Sequence, residues 1–188
     1  IGLLKLASLY RQQGHKVKIV RGNKSKKEIK KIGNEKWYTP HKIMVTSLFT
    51  YWAKYVKDSV QYYRRLFPNA KIIVGGIYAS LFSKEEVKAY TGCDEVHQGI
   101  VPEAEKCFPA YDLIQNANPH PIDYQIIHTS RGCIRKCPFC GTWKIEPSFS
   151  AKKSIKNEIR YKKIVFYDNN FLANPNIENI LEELIELK

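Results

Sequence analysis

Helix and strand signals alternate along most of the chain, which predicts an α/β protein built on parallel sheet, and three observations carry that prediction. Short branched runs, KVKIV (16–20), KIMVTS (42–47), AKIIV (70–74), YQIIHTS (124–130) and KIVFY (163–167), read as strands. Stretches with apolar residues at helical spacing separate them. In such sheets the connections are helical and lie on both faces. The pattern breaks once, at DLIQNANPHPID (112–123), where Pro119 and Pro121 interrupt it. The chain therefore divides into a first unit over 1–115, a linker over 116–123 and a second unit over 124–188.

In chain order, Leu3, Leu4, Ala7 and Tyr10 recur at helical spacing, and Gly14 stands where a C-terminal cap belongs. KVKIV and KIMVTS follow as strands. Trp52, Val56, Val60 and Tyr63 form the apolar stripe of a helix ending before Pro68. AKIIV is a third strand, bounded by Gly75 and Gly76. Ser83 with Glu86 matches a capping box and opens a helix running to about Tyr90. DEVHQG holds a weak strand, and Pro102 suits the first turn of a short helix. In the second unit, YQIIHTS is a strand, a basic helix is expected over 151–160, and KIVFY is a further strand. Asn174 and Pro175 cap a final helix carrying Ile177, Ile180, Leu181 and Leu184 on one face.

Composition narrows the function classes. A hydrophobic share of 44% fits a packed protein. No apolar run approaches the ~20 residues of a membrane span. The apolar opening carries Lys5 and lacks a cleavage site, so no signal peptide is expected. Five cysteines, an odd number, suit a reducing compartment and metal or redox chemistry, hence a cytoplasmic location. The chain opens with Ile1, holds Met44 as its one methionine, and begins with a helix where a strand is usual. The expectation is a piece of a longer protein that lacks the first strand of the first unit and the later strands of the second. The formal charge of +13 is concentrated in 21–31 and 151–163. Phosphate or nucleic-acid binding is one reading. Solvated lysine-rich faces are the expected one, because no aromatics alternate with the first run.

The densest chemical signal is RGCIRKCPFCGTW (131–143). Cys133, Cys137 and Cys140 form C-x-x-x-C-x-x-C, and Gly132, Pro138 and Gly141 supply an irregular loop. Thiolates are soft ligands for zinc or iron–sulfur clusters. Zinc needs a fourth ligand, and His128, Cys107 and Cys93 lie at unfamiliar spacings. A cluster held by three cysteines keeps one iron open for a substrate.

This loop, after a strand and before a helix, resembles the cluster motif of radical S-adenosylmethionine enzymes. The resemblance implies a [4Fe–4S] cluster on the three cysteines, with the methionine end of S-adenosylmethionine on the fourth iron. Reductive cleavage of the sulfonium then gives a 5′-deoxyadenosyl radical. Phe139 matches the aromatic that packs near the adenine. FYDNNF, after the last strand, matches the segment that meets the methionine amine, through Asp168, Asn169 or Asn170; a plain turn is the other reading. The resemblance further implies an external electron donor such as a ferredoxin or flavodoxin, a small-molecule or other substrate and no membrane.

IVGGIYASLFSKEE resembles the cobalamin-binding-like Rossmann domain that precedes the radical barrel in one large subfamily, and FPAYDL resembles the segment joining the two. That implies a flavodoxin-like first unit and the first βα units of a partial barrel in the second. Gly75 and Gly76 would let a bulky ligand approach, and Ser47 lies on a neighbouring loop. The Asp-x-His-x-x-Gly motif is absent, and EVHQG has the wrong spacing. Cobalamin bound without a histidine and a relic domain with no cofactor both stay open. Cys93 and Cys107 read as buried thiols, and His128 as a packing residue. Competing functions are an RNA-modifying methylthiotransferase and a zinc-stabilised nucleic-acid module.

Overall fold

The computed structural model describes residues 1–32, 39–115 and 122–186. The chain forms two compact units, Ile1–Ala117 and Asn118–Lys188, each mixed α/β with small parallel sheets. Most of the expected linker, 116–121, lies outside the described residues.

The first unit opens with α1 (Gly2–Gln12) and a short α2 (Lys26–Lys31). Then come β1 (Lys42–Ser47), α3 (Ala53–Leu66), β2 (Lys71–Gly75), α4 (Gly76–Leu81), α5 (Lys84–Thr91) and β3 (Glu95–Val96). Two single turns of helix, α6 (Pro102–Glu105) and α7 (Asp112–Gln115), close it. The strands form one parallel sheet in the order β1-β2-β3, with Ile43 opposite Ile72 and Val74 opposite Val96. β2 is central, so Ile72 and Val74 are fully buried. Val56, Val60 and Tyr63 of α3 and Val87 of α5 pack with them into one core. Trp52, expected on the α3 stripe, instead sits in a 3-10 turn (Thr50–Trp52) before the helix, and is exposed. Ser83 and Glu86 make both hydrogen bonds of the capping box. α1 is fixed at its flank: Lys5 pairs with Glu105 at 3.1 Å, and Arg11 forks onto Asp112.

The expected strand at 16–20 does not form. A strand exists only through a paired neighbour, and β1 takes β2 as its one partner among the described strands. Val20 packs on the core as an irregular segment, and Tyr63 Oη donates to the Gly22 carbonyl at 2.8 Å.

The second unit contains β4 (Tyr124–Ile127), β5 (Ser130–Arg131), α8 (Thr142–Ile145), β6 (Ser150–Ala151), β7 (Lys163–Phe166) and α9 (Ile177–Glu186). β4 and β7 are parallel, with Ile127 opposite Phe166; β5 and β6 are antiparallel. Among the described residues the strands make no barrel. Ile127, Ile155 and Ile180 form the core. Leu181, expected on the buried face of α9, is exposed.

Two expectations fail here. YQIIHTS is not one strand: it breaks at His128–Thr129, and Ser130 turns to pair with Ala151. The basic helix over 151–160 is absent; β6 and a 3-10 turn (Lys156–Glu158) replace it. Side chains from the final helix region take its carbonyls. Asn174 and Asn176 donate to Lys152 O, and Asn179 donates to Lys153 O at 2.8 Å. Glu183 accepts from Ile155 N at 3.0 Å. These long-range bonds displace the local ladder that a helix would need.

Candidate functional site

The cysteine loop begins where β5 ends, and three interactions close its neck. The β5–β6 pairing sets Arg131 opposite Ser150. Glu146, its side chain only 12% exposed, accepts from Gly132 N at 2.6 Å and pairs with Arg131 at 3.2 Å. Gly132 has φ +73°, and a Cβ there would lie 2.4 Å from Ser148 O. Only glycine meets both conditions.

Inside the neck the three thiols are half-buried and free of disulfides. Cys140 N donates to Cys137 O at 3.0 Å, and the Trp143 indole N–H donates to the same carbonyl at 3.2 Å. Two sulfurs receive backbone N–H groups: Arg135 N to Cys133 Sγ at 3.4 Å and Thr142 N to Cys140 Sγ at 3.5 Å. The Thr142 hydroxyl, then its backbone N–H, holds the Cys140 thiol below its ordinary pKa. That favours thiolate, the form that binds metal. Phe139 is 92% exposed at the loop tip.

β4 and β7 run parallel, so the segments after them share one sheet edge. Asp168, after β7, accepts four hydrogen bonds there. Thr129 donates through N (3.1 Å) and Oγ1 (2.8 Å), and Ser130 through N (2.5 Å) and Oγ (2.6 Å). A carboxylate has about four acceptor sites. Asp168 therefore holds the backbone break between β4 and β5. Asn169 bridges Thr142 and Glu146, each at 3.4 Å. Asn170 Nδ2 reaches Cys133 Sγ at 3.9 Å. His128 is buried, with its ring 6.0 Å from Tyr167.

Three soft thiols lie on one closed loop, two of them receiving N–H groups, and thiolates are the ligand type that zinc and iron–sulfur clusters take. Among the described residues, no group of three or more His, Cys, Asp or Glu side chains is gathered where it could hold a metal ion. A cluster distributes its thiolates over different irons, so it does not require the sulfurs to meet at one point. Cys93 and Cys107 are buried in the first unit, and the Cys107 thiol lies 3.5 Å from Glu103 O.

At the strand ends of the first unit, most expected site residues are accounted for by their own packing. Gly76 has φ +86°, and a Cβ would lie 2.2 Å from Thr46 Oγ1. Ser47 is buried, and its hydroxyl donates to Phe49 O at 2.8 Å. A Cβ on Gly75 would make only ordinary contact with His97. Two further features stand at this end of the sheet, the second on the SLFTYW loop (47–52) that follows a strand where ligands bind in such folds. His97 Nε2 is buried with no hydrogen-bond partner among the described residues. Leu48, Phe49, Tyr51 and Trp52 are exposed on the loop after β1, with Phe49 and Tyr51 stacked at 5.1 Å.

No helix among the described residues is long and apolar enough to cross a membrane. No protein-family model, curated protein or solved structure matches the chain.

Proposed function

We propose that this protein is a radical S-adenosylmethionine enzyme whose [4Fe–4S] cluster is held by Cys133, Cys137 and Cys140. In this reading the second unit is the start of the radical barrel, and the first is a cobalamin-binding-type Rossmann domain. The observation that carries the proposal is the loop itself. It presents three free thiols on a glycine-dependent neck, in contact with the segment that follows β7. Ligands of open parallel sheets bind beyond the carboxyl ends of the strands.

When bound, the cluster supplies the electron that cleaves the sulfonium of S-adenosylmethionine to a 5′-deoxyadenosyl radical. The chain's own residues hold and orient. The three cysteines leave one coordination position for the cofactor. Phe139 offers an exposed ring to the adenine. Asp168 fixes the Thr129–Ser130 junction from which the loop departs, Asn170 Nδ2 lies 3.9 Å from Cys133 Sγ, and Asn169 bonds Thr142, which donates to Cys140. The contact with the methionine amine falls to Asp168, whose Oδ2 accepts one bond while Oδ1 accepts three, or to the neighbouring Asn169 or Asn170. The electron comes from an external carrier such as a ferredoxin or flavodoxin.

For cobalamin the residues offer less. Ser47 and Gly76 are explained without a ligand, and His97 Nε2 is buried there with no hydrogen-bond partner among the described residues. No step is assigned to it.

The test is anaerobic reconstitution of the natural protein with iron and sulfide, then reduction in the presence of S-adenosylmethionine. Equal amounts of methionine and 5′-deoxyadenosine are expected. Stoichiometric zinc with no cofactor cleavage would overturn the proposal in favour of the zinc-stabilised module.

A further inference from the structure

We infer that Arg131 and Glu146 form a charge-compensated clasp that positions the cysteine loop and tunes the electrostatics of the group it holds; this rests on the cluster reading above. Glu146 lies 13 positions beyond Cys133, past the last cysteine. Its carboxylate nevertheless binds two other segments: the end of β5, through Arg131 (3.2 Å) and the Gly132 amide next to the first cysteine (2.6 Å), and the stretch after β7, through Asn169 (3.4 Å). Both charged side chains are largely withdrawn from solvent, at 21% and 12% exposure. A hydrogen bond to Gly132 N needs only an acceptor, and a neutral amide would serve. The carboxylate brings a negative charge as well, and Arg131 offsets it.

The compensation matters for a redox group. Reduction adds negative charge to a cluster. A lone carboxylate nearby opposes that, and a lone guanidinium favours it, most strongly where water is excluded. The paired clasp grips the loop while adding almost no net charge. Glu146 and Arg131 are thus positioning residues, and each one alone is electrostatically active.

The measurement is the midpoint potential of the reconstituted cluster in the natural protein, with iron content and thermal unfolding recorded in parallel. Glu146→Gln keeps an acceptor for Gly132 N and removes a negative charge from the neck, so the midpoint should move to higher potential. Arg131→Gln leaves the carboxylate uncompensated, so the midpoint should move lower. Arg131→Lys keeps the charge and should stay near wild type, as should the double variant R131Q/E146Q. Opposite shifts that cancel in the double variant are not produced by a purely structural role. If a single variant fails to retain iron, restored iron in the double variant supports the clasp, and continued loss overturns it. A wild-type cluster whose potential is unmoved in both single variants, or moved the same way in both, overturns this inference alone. A wild-type protein that takes up no cluster overturns the proposed function and this inference with it.

Discussion

Ser130 donates to Asp168 twice, from its backbone N–H at 2.5 Å and its hydroxyl at 2.6 Å, so a residue after β7 fixes the backbone after β4. With the two bonds from Thr129 the carboxylate accepts four, three on Oδ1 and one on Oδ2. Replacing Asp168 with Ala leaves those donors without their anionic acceptor. Hydrogen bonds to a charged group contribute about 1.5–3 kcal/mol net, and a loss of that order is expected in denaturant unfolding. Asp168→Asn should lose less, because its amide oxygen can keep the three donors that meet Oδ1 and its N–H opposes only Thr129 N. Wild-type stability with S-adenosylmethionine binding lost would instead place the carboxylate against the cofactor.

Gly132 sets the neck of the cysteine loop. Gly132→Ala adds left-handed strain and a clash with the Ser148 carbonyl, together of the order 1–3 kcal/mol. Gly92 is the control, with φ +77° and nothing within 4 Å of an added Cβ. Thermal unfolding should show a larger loss for Gly132→Ala than for Gly92→Ala, and only Gly132→Ala should lower iron uptake. Equal effects would remove the neck from the account.

The capping box of α2 gives a pH dependence. The Ser25 backbone N–H, then the Ser25 hydroxyl and Lys24, lower the Glu28 pKa from 4.5 to about 2. A depressed carboxyl stabilises the folded state above its unfolded pKa and loses that contribution as pH falls through the folded one. The stability gap between wild type and Glu28→Gln should therefore be full near pH 6 and shrink between about pH 4.5 and pH 2. Amide exchange at Ile29 follows it locally. A gap that is independent of pH would show that the box holds without the charge.

Local signals were the legible part of this fold. KIMVTS became β1 residue for residue, Ser83–Glu86 capped α5, and Pro102 opened α6. The same S-x-x-E signal caps α2 at Ser25–Glu28, where surrounding lysines mask it. What could not be read locally was which distant group meets which. The 151–160 segment has helix-forming residues, but the carbonyls of Lys152 and Lys153 are claimed by asparagines more than twenty residues away. KVKIV has strand composition and no paired strand. At the site, the cysteines were legible from spacing alone. Glu146 was not, since its meaning appears only when the loop closes back on Gly132. Asp168 stands out by position, but the four donors it gathers from Thr129 and Ser130 come from the other strand and are not legible locally.

The central claim is that three cysteines, and only three, hold an iron–sulfur cluster. The direct measurement is iron and acid-labile sulfide per chain after anaerobic reconstitution, across single cysteine variants. About four of each are expected for the wild type. Cys133→Ala, Cys137→Ala and Cys140→Ala should each lose most of both, while Cys93→Ala and Cys107→Ala, buried in the first unit, should match wild type. Equal loss from Cys107→Ala, or stoichiometric zinc without sulfide, would contradict the account.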